Sequence, residues 1–237
     1  MARRCILAVY SHPDDETTVT AGTSMRYAKE GVEVYVITAT RGEWGALGSG
    51  DMAITREELP VVREAELRAN LKAYGVNPPL MLDYVDAALK DADFEEHVGL
   101  ILAEMRRVKP NVVITWGPTG ISRHDDHIAT NQATRAAFDQ YRETVDMEPR
   151  LYYIAVPQDL MEEFELDVDE PEAHPTVIID ITEDKAAKIQ GLRNYKSQED
   201  AQEVADMMES EKWGSEEMFH QAYPPATKGV MSTGFWD

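Results

Sequence analysis

Apolar positions fall into short continuous runs separated by longer stretches in which they recur every three or four residues. "CILAVY" (5–10) has the length and character of a fully buried strand. "ETTVTAGTSMRYAKEG" (16–31) brings Val19, Met25 and Ala28 toward one helical face and ends on Gly31, a C-cap. "VEVYVITAT" (32–40), rich in β-branched residues, predicts a second strand. Residues 41–60, with four glycines, read as a long loop, 61–76 as a helix stopped by Gly75, and 79–84 as a short strand. A helix over 93–110 closes at Pro110, "NVVITW" (111–116) is a strand, and a polar loop over 117–125 leads into a helix over 127–141. Strands over 150–156 and 175–181 flank an acidic connection, 158–174, and a polar helix spans 183–195. Beyond Ser197 the periodicity weakens and charge dominates.

Strand–helix alternation of this kind predicts an α/β fold: a Rossmann-like open, mainly parallel sheet with helices on both faces. The 237 residues suit a single domain over 1–237, with 199–237 the least defined part. Ligands of such sheets collect outside the carboxyl ends of the strands, where strand order switches. No G-x-G-x-x-G follows the first strand, so the usual dinucleotide loop is missing.

Charge narrows the partners. Forty-four acids against 23 Lys and Arg give a net charge of −21, which repels phosphate backbones and anionic lipid, so neither nucleic acid nor membrane is an expected partner. No segment approaches the roughly 18 consecutive apolar residues of a membrane helix, and the first apolar run ends at Ser11, too early for a secretory signal core. Cys5 is the only cysteine and lies in an apolar run, so the expected setting is a reducing cytoplasm.

Two strand ends carry unusual chemistry. "SHPDDE" (11–16) follows the first strand, and "SRHDDH" (122–127) follows the "NVVITW" strand; together they hold three of the six histidines. Alone, "PDDE" reads as helix capping and "HDDH" as a solvated turn. As a pair at the ends of two central strands they would converge, and a His-Asp-His trio leaves a coordination position open, as catalytic zinc sites do. Spacing leaves open which of Asp14 and Asp15 would bind a metal.

"AVYSHPDDE", "TATRGEWG", "GISRHDDH" and the later "YKSQ" (195–198) resemble, in order, the signature regions of the LmbE-like, or PIG-L, N-acetylglucosaminyl deacetylase family. The resemblance implies metal ligands His12, Asp15 and His127, with Zn2+ as cofactor (Fe2+ suits the same donors). It implies Asp14 as general base, and His124, oriented by Asp126, as the group that stabilises the oxyanion or protonates the amine. Arg63 matches a sugar-contacting arginine, and Glu43 would line the same mouth; a surface ion pair is the alternative for both. The family has Gly and Pro where Arg123 and Asp125 stand, and some relatives have Tyr in place of Ser122, so Arg123 would add charge beside the substrate. The implied reaction is hydrolysis of an N-acetyl or other N-acyl amide on a small sugar substrate, by a homo-oligomer, trimer or hexamer. An amidase for another N-acyl or thiol-conjugate substrate, or a non-catalytic sugar- or nucleotide-binding module, are the alternatives. Trp44 and Trp116 read equally as packing or as sugar platforms, while His97, among acids, and His220 are expected at the surface.

Overall fold

Side chains alternate across β1 (Cys5–Tyr10), and that alternation organises the molecule. Ile6, Ala8 and Tyr10 pack into one core with α1 (Asp15–Lys29), α2 (Leu59–Tyr74) and α7 (Lys185–Asn194). Cys5, Leu7 and Val9 pack on the opposite face against α3 (Phe94–Val108) and α5 (Asp125–Arg142). Polar positions do not interrupt the run because both faces are covered.

The computed structural model describes residues 3–163, 165–168 and 171–237. Seven strands form a mixed sheet in the order β3-β2-β1-β4-β5-β7-β6 among the described residues. They are β1, β2 (Glu33–Thr40), β3 (Leu80–Tyr84), β4 (Val112–Thr115), β5 (Arg150–Ala155), β6 (Val177–Asp180) and β7 (Glu216–Tyr223). The first five run parallel. After β3 the chain crosses back to the other side of β1, which makes the β1/β4 boundary the switch point and opens a crevice beyond their carboxyl ends. The shorter helices are α4 (Gly120–Arg123), α6 (Gln158–Glu163) and α8 (Glu199–Glu209). No helix among the described residues is long and apolar enough to cross a membrane.

The parallel half follows the expected elements closely; the C-terminal part adds a strand. β7 inserts antiparallel between β5 and β6. Its sequence, "EEMFHQAY", has no apolar run because one inward position is an acid. Glu217 is buried and paired with the fully buried Lys188 at 2.7 Å. Only a contact between distant residues makes that strand acceptable to a core.

His97 is also not where its neighbours implied. It is 2% exposed, its ring lies 4.9 Å from that of Tyr84, and its Nε2 has no hydrogen-bond partner among the described residues. It occupies the inward face of α3, while the acids around it point out. Burial pushes its pKa down from 6.5 to about 4. The stability that neutral His97 supplies is therefore complete above pH 6.5 and is lost as pH falls toward 4. A His97→Phe variant lacks this term. Between pH 7 and pH 4, urea denaturation should show wild type losing about 3 kcal/mol relative to the variant; parallel pH dependences would refute it.

Candidate active site

β1 ends at Tyr10 and α1 begins at Asp15, so four residues make the turn. Asp15 Oδ2 accepts the amides of Ser11 (3.0 Å) and His12 (2.8 Å), which folds the turn back over the helix start. Asp14 takes a left-handed conformation, φ 107°, which costs a non-glycine residue about 1–3 kcal/mol. Its amide donates to Glu16 Oε2 at 3.0 Å, and Glu16 Oε1 accepts the Tyr195 hydroxyl at 2.7 Å. The "YKSQ" segment thus braces the first turn from behind. Glu16 is buried, and burial raises its pKa to about 7.

The second turn is shaped from an unexpected quarter. Glu172, in the acidic connection, is fully buried and accepts the Thr119 amide (3.0 Å), the Thr119 hydroxyl (2.5 Å) and the Ile121 amide (3.2 Å). This fixes Gly120 at φ 61°, where a Cβ would lie 2.7 Å from that of His127. A residue without Cβ lets the Gly120 carbonyl meet His127 Nδ1 at 3.1 Å. Trp116 stacks on the His127 imidazole at 3.9 Å with 5° between planes, holding the ring on its other side.

The two turns meet. His12 Nδ1 is 3.7 Å from Asp15 Oδ2, and His127 Nε2 is 3.6 Å from Asp15 Oδ1. One donor atom from each of His12, Asp15 and His127 lies within 4.8 Å of the other two, close enough for the three to hold one divalent cation. The remaining ring nitrogens are already engaged. His12 Nε2 faces Asp86 Oδ1 at 3.1 Å and Asp126 Oδ2 at 3.2 Å, and His127 Nδ1 faces a backbone carbonyl. Such outer partners fix the tautomer of a ligating histidine. His12, His124 and Asp126 form a second close group, but both Asp126 oxygens are committed: Oδ1 accepts the Leu89 amide at 3.0 Å and Oδ2 the Ala87 amide at 2.7 Å.

Around this group lies a cleft of about 490 Å³, lined by Asp14, Trp44, Arg63, Asp86, His124 and residues 198–200 among others. Arg63 is buried, unlike a surface ion pair. It donates to Asp14 Oδ2 at 2.6 Å, to the Gly42 carbonyl at 2.9 Å and to the Pro13 carbonyl. His124 borders the cleft with its ring 4.7 Å from His127, but the carboxylate of Asp126 does not orient it; that carboxylate serves His12, and His124 Nδ1 instead accepts the Asp126 amide at 3.2 Å. Glu43 is half-buried and accepts the Asp86 amide at 2.9 Å, so it supports the loop that carries Asp86 while Trp44 and Gly45 form the wall. Arg123 is exposed and reaches Asp167 at 3.0 Å, outside the cleft lining. His220 is half-buried, its Nδ1 2.7 Å from the His174 carbonyl. Asp86 is the residue the sequence reading missed; it stands two residues past β3, at the end of a third parallel strand.

Burial and charge set the titrating groups apart. Burial pushes Asp14 well above the usual carboxylate range, although the Arg63 guanidinium pulls it down. Burial also works against an ionised Asp15, but His127 and His12 outweigh it and hold its pKa low. Asp86 is lowered to about 2, burial opposing and the His12 hydrogen bond prevailing. Burial disfavours a charged His12, yet hydrogen bonds to Asp126, Asp15 and Asp86 raise its pKa well above the ordinary range. His124 is lowered by burial and by the neighbouring imidazoles. Two adjacent carboxyls with opposed pKa shifts, beside a cage that fits a cation, can divide the work of ligand and proton acceptor.

Known proteins share both sequence and architecture with this chain. The family model described as PIG-L, GlcNAc-PI de-N-acetylase, matches residues 7–138. A Mycobacterium sp. (strain KMS) protein named 1D-myo-inositol 2-acetamido-2-deoxy-alpha-D-glucopyranoside deacetylase is 31% identical over 229 residues, covering 81% of this chain and 73% of the relative. N,N'-diacetylchitobiose deacetylase from Pyrococcus horikoshii superposes with a TM-score of 0.67 at 22% identity, over 93% of this chain and 84% of its own. The 4-carboxy-2-hydroxymuconate hydratase from Pseudomonas putida superposes with a TM-score of 0.72 at 19% identity, over 96% and 99%. One of these solved proteins is named a deacetylase and the other a hydratase, so at such identities they speak for the fold alone. The family match and the mycobacterial relative go further, and by them the chain belongs to the PIG-L, or LmbE-like, family.

Proposed function

We propose that this protein is a divalent-metal-dependent hydrolase of a linear N-acyl amide, acting on a small N-acetylglucosamine-containing molecule and releasing acetate and a free amine. One observation carries the reading: His12, Asp15 and His127 bring a donor atom each within 4.8 Å of the others while the second nitrogen of each histidine is held, and Asp14 stands beside them without joining the trio. The name of the mycobacterial relative supports the substrate class. The whole chain would act as one domain, since β7 completes the same sheet that carries the site. The net charge of −21 and the lone, buried Cys5 suit a cytoplasmic enzyme of small molecules.

His12, Asp15 and His127 would hold the ion, zinc in the first instance and ferrous iron on the same donors; bound there, it supplies a Lewis acid that activates water and polarises a carbonyl. Asp14, made basic by burial, accepts the proton that water gives up. Arg63 keeps that carboxylate aimed from its hydrogen bond at 2.6 Å. His124, which lines the same cleft beside His127, stabilises the developing oxyanion and passes a proton to the departing nitrogen. Asp126 and Asp86 fix the ring of His12. Glu43 supports the Asp86 loop, and Arg123 pairs with Asp167.

The test is elemental analysis of protein purified without chelator, paired with an amine-detecting assay on N-acetylated sugars. About one equivalent of zinc or iron, with acetate and amine formed together, is expected. Chelation should abolish turnover, and adding back the metal should restore it. Purified protein that binds no divalent ion, or that frees amine from none of the sugars, would overturn the reading.

A further inference from the structure

A second cavity, of about 160 Å³, lies behind His127 and is walled mainly by apolar side chains, among them Val19, Trp116, Ile121, Ile154 and Trp213. Its two buried charges, Lys188 and Glu217, are spent on each other at 2.7 Å. Ser122 and His127 belong to its wall and to the wall of the polar cleft, so the two spaces adjoin at the candidate cage. The pocket is partly open and its walls are mainly apolar, so a hydrocarbon group entering it would gain dispersion contacts and leave water. An apolar cavity of about 150 Å³ accommodates a benzene ring.

We propose that this cavity receives the acyl chain of the substrate, and that the protein prefers N-acyl groups of about four to six carbons over acetyl. The inference rests on the amide-hydrolase reading and adds the substrate's acyl half to it. An amide has two substituents on its reacting centre. The hydroxyl-bearing amine half matches the cleft with Arg63, Asp86, Gln198 and Asp200, and the hydrocarbon half matches the space beyond His127. Hydrolysis consumes one water: a C–O bond forms at the carbonyl carbon, the C–N bond breaks with its electron pair going to nitrogen, and a water proton ends on the amine. A fatty carboxylate and a free amino sugar leave.

N-acetyl-, N-butyryl- and N-hexanoylglucosamine, assayed by amine release on the metal-loaded enzyme, test the proposal. Each added methylene buried should raise kcat/KM roughly fourfold, on the order of a hundredfold from acetyl to hexanoyl. Val19→Trp, which fills the cavity, should reduce the hexanoyl-to-acetyl ratio at least tenfold, and Ile121→Ala should move the optimum to longer chains. A wild-type kcat/KM that falls with chain length, or a ratio that neither variant moves, overturns the proposal. If no chain length is hydrolysed, the hydrolase reading fails and binding decides the cavity separately. Fluorescence of Trp116 and Trp213 should then report at least tenfold tighter binding of N-hexanoylglucosamine than of N-acetylglucosamine, and equal affinities would overturn it.

Discussion

Asp14→Asn should lower kcat by about 10²–10⁴-fold, the usual contribution of a positioned proton acceptor, while metal content stays at the wild-type level. The carboxylate bonds Arg63 and lies outside the His12–Asp15–His127 group, so the change removes a base and no ligand. Asn is isosteric, and its carbonyl oxygen can still accept from Arg63, which keeps the left-handed turn at residue 14 in place. His127→Ala provides the contrast. It takes one of three donors and should lose both turnover and tight metal binding. Metal analysis after dialysis, with amine release measured on the same samples, separates the two. Equal metal loss in both variants would make Asp14 a ligand and refute its assignment as a base.

The positions of these groups were legible because they are local. "CILAVY" is apolar at every position, and in a chain of alternating strands and helices that means a central parallel strand; residues just beyond its carboxyl end then fall in the crevice. The same rule placed His124 and His127 past β4. Partnerships across the chain were not legible. Nothing in "HDDH" tells that the Asp126 carboxylate turns to His12, 114 residues earlier, instead of to its neighbour His124. The resemblance singles out Arg63 as a sugar contact, but nothing local tells of its carboxylate partner, 49 residues away. Lys188–Glu217 and the Glu172 contacts to Thr119 hide a strand and a loop brace inside charged segments for the same reason. Periodicity reports which face a residue occupies, and a buried charge breaks that report when a distant partner neutralises it.

Arg63→Met should destabilise the metal-free protein by about 3–5 kcal/mol in urea denaturation at neutral pH, the cost of stranding one member of a buried pair. The guanidinium is 3% exposed and serves three acceptors at once, Asp14 Oδ2 and the carbonyls of Pro13 and Gly42. Methionine fills the volume and satisfies none of them. Lysine, a single point donor, cannot reproduce the planar fork and should recover only part of the loss. The pH dependence carries the sign. Burial raises the pKa of folded Asp14, and Arg63 is the group that restrains the rise. Without Arg63 the carboxyl keeps its proton to still higher pH, because the cation that favours its ionised form is gone. Below the folded pKa of Asp14 the acid is neutral in both proteins, so the stability gap is smallest there; it widens as pH rises and wild type alone gains the ion pair. The metal-loaded variant should show the same displacement in its kinetics, the acid limb of its pH–rate profile moving upward. A stability gap that stays flat across pH, or an acid limb that does not move, would mean that Arg63 acts on the fold without governing the proton on Asp14.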